Sequence, residues 1–228
     1  MVNNILEELN IQELRARFLK FTRNAYQLLP KIVKPRVLDI GCGTGLPTIE
    51  LAKLSEGEVI GLDIDKNALD LLNLELEKRK LLGQIKTINC SIYEFEFPDQ
   101  SFNVIWEEGV IHLLDLNKVL TICYKLLKNK GCLVMFETIA WINDKFKIFS
   151  ELGFILINYF LLPEAFWWTE YYLPLKNFVK ALHIKYKGSK QLEELKQYER
   201  EIDMVKKDPK KFDCGFYIMQ KNTLRNGV

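Results

Sequence analysis

The sequence predicts an α/β protein, an open and mostly parallel sheet with helices on both faces. Three observations carry that prediction. Between residues 36 and 137, short apolar runs alternate with stretches of helical periodicity, and strands separated by helices pair in parallel. The first of these runs ends in a turn with three glycines, where a strand would hand over to a helix. With 228 residues, 48% of them apolar, the chain can bury a core of its own without disulfides or metal.

The elements follow in order. Leu14, Phe18, Phe21, Ala25 and Leu28 recur at helical spacing and mark one face of a single amphipathic helix, which Pro30 and Pro35 end. RVLDI (36–40) is the first strand, and Pro47 suits the first turn of the helix after it. EVIGLD (58–63) is the second; Asp65 then caps a helix that carries Leu69, Leu72 and Leu76 inward. IKTIN (85–89) and NVIW (103–106) are strands three and four, and Asp115 starts the next helix. Asn129, Lys130 and Gly131 turn the chain into the strand CLVMFE (132–137). Trp141 to Leu152 reads as a helix and Phe154 to Leu161 as a strand. Residues 163–211 then break the alternation with an aromatic stretch and a charged helix carrying Leu192, Leu195, Ile202 and Val205, the pattern of an inserted cap. GFYIMQ (215–220) closes the sheet. The expected division is 1–34 as an N-terminal cap segment, 35–161 as the core, 162–211 as the inserted cap, and 212–228 as closing strand and tail.

Charge and cysteine usage exclude several classes. Thirty-two basic against thirty acidic residues leave +2, too little for a nucleic-acid or membrane module held by net charge. The eleven Lys/Arg against six Asp/Glu between Lys176 and Lys211 read as a solvated helical face. Five scattered cysteines without C-x-x-C spacing, joined only by His112 and His183, give neither a zinc framework nor a disulfide scaffold. The longest apolar run, near Phe154 to Leu162, is interrupted by Asn158 and is too short to span a bilayer. The expectation is a reduced, cytoplasmic protein with no metal, no membrane and no nucleic-acid partner.

The chemistry concentrates in VLDIGCGTG (37–45). Glycine lets the main chain turn sharply and lie against a ligand, because no Cβ holds it away. The dinucleotide pattern G-x-G-x-x-G would need glycine at 46, where Leu46 stands, and no G-x-x-x-x-G-K-[ST] string occurs. Both phosphate cradles fail. Asp63 ends strand two beside that turn, placed to accept both hydroxyls of a ribose, so a nucleoside without phosphates fits. The alternative for Asp63 is to cap the following helix. Nine aromatic residues stand between Phe154 and Phe178; Trp167, Trp168, Tyr171 and Tyr172 are too many for one buried helical face and are expected to border an acceptor pocket.

VLDIGCGTG with an acid ending strand two resembles motifs I and II of the class I S-adenosylmethionine-dependent methyltransferases. FPDQSFNVIW (97–106) and LLKNKGCLVMFE (126–137) resemble later landmarks of that family, so the resemblance covers roughly residues 36 to 137. It implies a Rossmann-like, seven-stranded sheet in order 3-2-1-4-5-7-6 with the last strand antiparallel. It also implies S-adenosyl-L-methionine as cofactor: Asp39, Gly41, Gly43 and Gly45 at its methionine part, Asp63 at the ribose and Ile64 on an adenine face. Where the family has an aspartate near the adenine amine stands Ser91, beside the Ile92 backbone. Trp106 to Gly109, including Glu107, would reach cofactor and acceptor. The implied reaction is in-line transfer of a methyl group to a small-molecule acceptor, driven by positioning and desolvation. Glu107, Glu108 and His112 are the candidates for a base where the acceptor must lose a proton. The alternatives are an RNA or protein methyltransferase on the same fold and a non-catalytic cofactor-binding module. The [NDS]-P-P-[YFW] string of base-amine methyltransferases is replaced by Trp106-Glu107-Glu108-Gly109.

Overall fold

A computed structural model describes residues 8–189 and 191–222. The described residues divide into two compact units, one drawn from residues 20–160 and 215–222 and the other from residues 8–19 and 161–214.

The larger unit is built on the sheet. Its strands are β1 (Val37–Ile40), β2 (Val59–Asp63), β3 (Ile85–Asn89), β4 (Phe102–Glu108), β5 (Leu127–Thr138), β6 (Phe154–Leu161) and β7 (Cys214–Lys221), in the order β3-β2-β1-β4-β5-β7-β6. The pairs β1–β2, β1–β4, β2–β3 and β4–β5 are parallel, and β7 runs antiparallel. Strand order reverses between β2 and β4, on either side of β1. Ligands of open α/β sheets settle at such a switch point, beyond the carboxyl ends of the strands. The helices α3 (Leu46–Ser55), α4 (Lys66–Arg79) and α5 (Leu116–Leu126) connect the strands. Asp65 caps α4 by accepting from the Asn67 and Ala68 N–H groups, and Asp115 caps α5 through Lys118 N–H. Leu69, Leu72 and Leu76 are all buried. One core joins Leu38, Ile40, Ile60, Leu62, Ile105, Leu133 and Met135 of the strands to Val119, Leu120 and Cys123 of α5.

Three local expectations are corrected. The single N-terminal helix is two helices, α1 (Ile11–Ala16) and α2 (Leu19–Gln27). The break falls where the chain passes from the smaller unit to the larger, so Leu14 and Phe18 pack in one and Phe21, Thr22 and Ala25 in the other. Asn129 to Gly131 lie inside β5, where Lys130 adopts φ 61° and the pairing with β4 shifts between Phe102 and Val104; an irregular strand start does the work of a separate turn. Trp141 to Leu152 forms two short helices, α6 (Ile139–Asn143) and α7 (Phe146–Glu151).

The smaller unit contains α1, a π-helical turn (Trp167–Tyr172), α8 (Leu173–Lys185) and α9 (Gln191–Lys207). Leu14, Phe18, Phe166, Tyr171, Leu175, Val179, Leu195, Ile202 and Val205 are buried, and Phe18 meets Phe166 edge-on at 5.1 Å. Leu192 of the charged helix is half-buried. All five cysteines are thiols. Among the described residues, no helix is long and apolar enough to cross a membrane.

Candidate active site

The glycine turn leaves β1 by donating from both Gly41 and Cys42 N–H to the Leu62 carbonyl, at 2.8 and 3.1 Å. Its three glycines have different reasons to be there. A Cβ on Gly41 would lie 3.0 Å from Val110, and one on Gly45 would lie 2.1 Å from Leu72 Cδ1, with φ +70° and +82° respectively. These two answer to the protein's own packing. Gly43 also has positive φ, +51°, yet a Cβ there would meet nothing within 4 Å. Bare peptide facing open space at a switch point is where a ligand can approach the main chain closely.

Asp63 braces this turn. One carboxylate oxygen accepts from Gly43 N–H at 2.7 Å and the other from Asp65 N–H at 2.8 Å. The helix cap belongs to Asp65, so the plainer alternative for Asp63 is already filled by its neighbour. Asn89, opposite Asp63 in the β2–β3 register, donates to the Asp63 and Ile64 carbonyls at 3.0 Å each. Sequence reasoning missed it; the signal was its place at the tip of the strand beside Asp63. Ile64 is 76% exposed, a large apolar side chain held out at the strand tip. Ser91 opens a turn in which its hydroxyl accepts from Tyr93 N–H. Ile92 sends its side chain into the core.

Three carboxylates gather around the same turn. Asp39 pairs with Trp106 in the β1–β4 register, which puts Asp39, Trp106 and Glu108 on one face of the sheet. Asp39 is 2% exposed and accepts from the Thr48 hydroxyl at 2.6 Å. Glu108 accepts from the Thr22 hydroxyl and from the Trp106 indole N–H, both at 2.9 Å, on a single oxygen. Burial pushes the Asp39 carboxyl up to about 8, opposed by the Thr48 bond and reinforced by Glu108 and Asp63. Burial also pushes Glu108 up to about 7, against its two donors. The charges acting on Asp39 are all negative. A cation bound beside these carboxyls would favour their ionised forms. Thr22, on the N-terminal helix, carried no signal in the sequence.

On the opposite face, Glu107 is buried and accepts from the Val110 and Ile111 N–H groups at 3.0 and 3.1 Å through Oε2. It starts the short turn Ile111–Leu113 and leaves Oε1 without a partner. Burial and the neighbouring Glu137 hold its carboxyl well above the carboxylate range. His112, in that turn, has Nδ1 2.9 Å from Glu137 Oε1. Glu137 is the last residue of CLVMFE, and its place at a strand end carries no signal of this contact in the sequence.

The four aromatic residues expected at an acceptor pocket all lie in the smaller unit. Tyr171 is buried; Trp167 packs on Phe18 at 4.4 Å and joins Tyr171 and Tyr172 in one ring cluster. Arg17 donates to Glu170 of the same unit, and Arg23 pairs with Glu50.

Comparison with known proteins adds three findings. Residues 37–131 match the family described as a methyltransferase domain. Among curated relatives, a sterol 24-C-methyltransferase from Aspergillus fumigatus is 29% identical over 139 residues, covering 57% of this chain and 37% of that protein. A demethylmenaquinone methyltransferase from Lactobacillus johnsonii is 33% identical over 126 residues, covering 54% and 52%. The chain thus spans between about a third and a half of the length of these curated relatives. Among solved structures, an S-adenosyl-L-homocysteine complex of a methyltransferase from Thiobacillus denitrificans superposes with a TM-score of 0.71 at 16% identity, covering 89% of this chain and 91% of that one. The [4+2]-cyclase SpnF superposes at 0.75 and 12% identity, covering 89% and 81%. Likeness at that level shows the fold alone, and one fold hosts different chemistries.

Proposed function

Since residues 37–131 belong to the class I S-adenosylmethionine-dependent methyltransferase family, we propose that this protein transfers a methyl group from S-adenosyl-L-methionine to a small-molecule acceptor. The observation that carries the reading is the gathering of Asp39, Asp63 and Glu108 around the open peptide of Gly43. The residues fit the group. A sulfonium nucleoside with an ammonium tail is cationic where those carboxylates stand, whereas a dinucleotide would bring a pyrophosphate into the same negative field.

In this reading the main chain from Gly41 to Gly45 and the Asp39 carboxylate hold the amino-acid end. Glu108, tied to Thr22 and Trp106, adds negative charge on the same face. Asp63 keeps a second lone pair on each oxygen for ribose hydroxyls while holding Gly43 and Asp65. Ile64 offers an apolar edge to the base, with the Ser91–Ile92 backbone beside it. The bound sulfonium supplies an already activated methyl, so the chain's task is alignment and exclusion of water, for which positioning is worth about 7–11 kcal/mol. Sterol and quinone methyltransferases among the relatives support a small-molecule acceptor.

The test is thermal unfolding with S-adenosyl-L-methionine, S-adenosyl-L-homocysteine and NAD in parallel. Ligand at 100 times its dissociation constant should add about 2.7 kcal/mol. Stabilisation by the first two and not by NAD is expected, followed by release of S-adenosyl-L-homocysteine on adding metabolite extracts. A shift with NAD alone would sink the reading.

A further inference from the structure

The turn after β4 is built in three layers, each made by a different residue. Glu107, enclosed in the core, fixes the start of the turn by accepting from Val110 and Ile111 N–H. Val110 then lies against Gly41, where a Cβ would come within 3.0 Å, so the turn abuts the glycine crest. His112, the next residue but one, keeps one edge in solvent: its side chain is 38% exposed, while the Glu137 side chain behind it is 3% exposed. The Nδ1 edge is the one turned to that enclosed carboxylate, at 2.9 Å. A buried carboxylate behind a half-exposed imidazole holds the ring in one tautomer.

We propose that Glu137 is a positioning residue that accepts the Nδ1–H of His112 and leaves Nε2 as the proton acceptor for a protic methyl acceptor. The proposal rests on the methyl-transfer reading and narrows its substrate class to acceptors whose reacting atom carries a proton that leaves. The acceptor's lone pair forms the bond to the methyl carbon and the carbon–sulfur pair returns to sulfur as a neutral thioether. The acceptor's proton goes to Nε2. The positive charge lost at sulfur reappears on the imidazole, in contact with Glu137, so no net charge is left unpaired. Glu107 completes the arrangement. Burial pushes both carboxyls up, Glu107 well above the carboxylate range with its Oε1 unpartnered, whereas for Glu137 the His112 contact opposes the rise, so Glu137 is the one of the two whose charged form an imidazole supports.

The test needs no identified acceptor. The chain has two histidines, so ¹⁵N–¹H correlation of the imidazoles, assigned with His183→Gln, reads the His112 tautomer directly in the free protein. The Nδ1–H form is expected, and it should lose its dominance in Glu137→Leu. With metabolite extract and S-adenosyl-L-methionine, Glu137→Gln should release S-adenosyl-L-homocysteine at least roughly tenfold more slowly while keeping the parent's thermal shift with the cofactor. An Nε2–H tautomer in the parent, or an unchanged tautomer in Glu137→Leu, overturns the proposal. Absence of any cofactor shift in the parent would instead overturn the methyl-transfer reading and leave the tautomer result to stand by itself.

Discussion

Glu107 and Glu108 are neighbours in the chain and opposites in the sheet. The pleat sends Glu108 to the face of Asp39 and Trp106, and Glu107 to the face of Ile40 and Met135. On the first face three carboxylates meet with only hydroxyl, indole and peptide donors to satisfy them. On the second, one carboxylate is spent on two peptide N–H groups and the next faces an imidazole. The same residue type therefore meets side-chain donors on one side and builds a turn from peptide donors on the other. What distinguishes them is the identity of the donors, which strand pairing decides.

Substitutions break this comparison at several points. The largest stability loss is expected for Glu107→Ala, which leaves two peptide N–H groups and a cavity inside the core; urea unfolding of the free protein should show a loss of about 2–4 kcal/mol. Glu108→Ala, half-buried and bonded to side chains that can turn to water, should cost about 1 kcal/mol or less. Equal losses would mean the two faces are not different in kind.

Asp63→Ala should remove the whole thermal shift produced by the cofactor. The free protein should also lose about 1–2 kcal/mol, since Gly43 and Asp65 N–H each give up a charged acceptor. A free protein with unchanged melting temperature would deny Asp63 its bracing role. Gly43→Ala should cost the free protein only about 1 kcal/mol of left-handed backbone strain, because its new methyl meets nothing. Calorimetry should nevertheless find cofactor binding lost, and retained binding would place the ligand elsewhere.

The smallest effect is a pH dependence. Asp39 and Glu108 have folded-state values near 8 and 7, above those of the unfolded chain. The native state therefore holds more protons than the unfolded one between the ordinary carboxylate range and about pH 8, and stability contributed by these groups falls as pH rises through that window. Asp39→Asn should flatten part of the slope in melting temperature between pH 5 and 8. Cofactor affinity should run the other way, rising with pH as these carboxyls ionise, and calorimetry in two buffers of different ionisation enthalpy should detect protons released on binding.

The linear sequence determined the succession of strands and helices, the glycine turn, the acid at the tip of β2 and the caps at Asp65 and Asp115. These are local matters: a capping side chain reaches two or three residues ahead, and a glycine is legible because the backbone demands it on the spot. Tertiary structure alone decided which of three identical glycines borders open space, because that depends on whether Leu72 or Val110 occupies the space a Cβ would need. It also decided that Thr22 meets Glu108, that Asn89 meets the Asp63 and Ile64 carbonyls, and that Glu137 stands behind His112, a contact made across 25 residues of chain. Burial, register and partner identity are set by segments far apart in the chain, and no local pattern records which of them will meet.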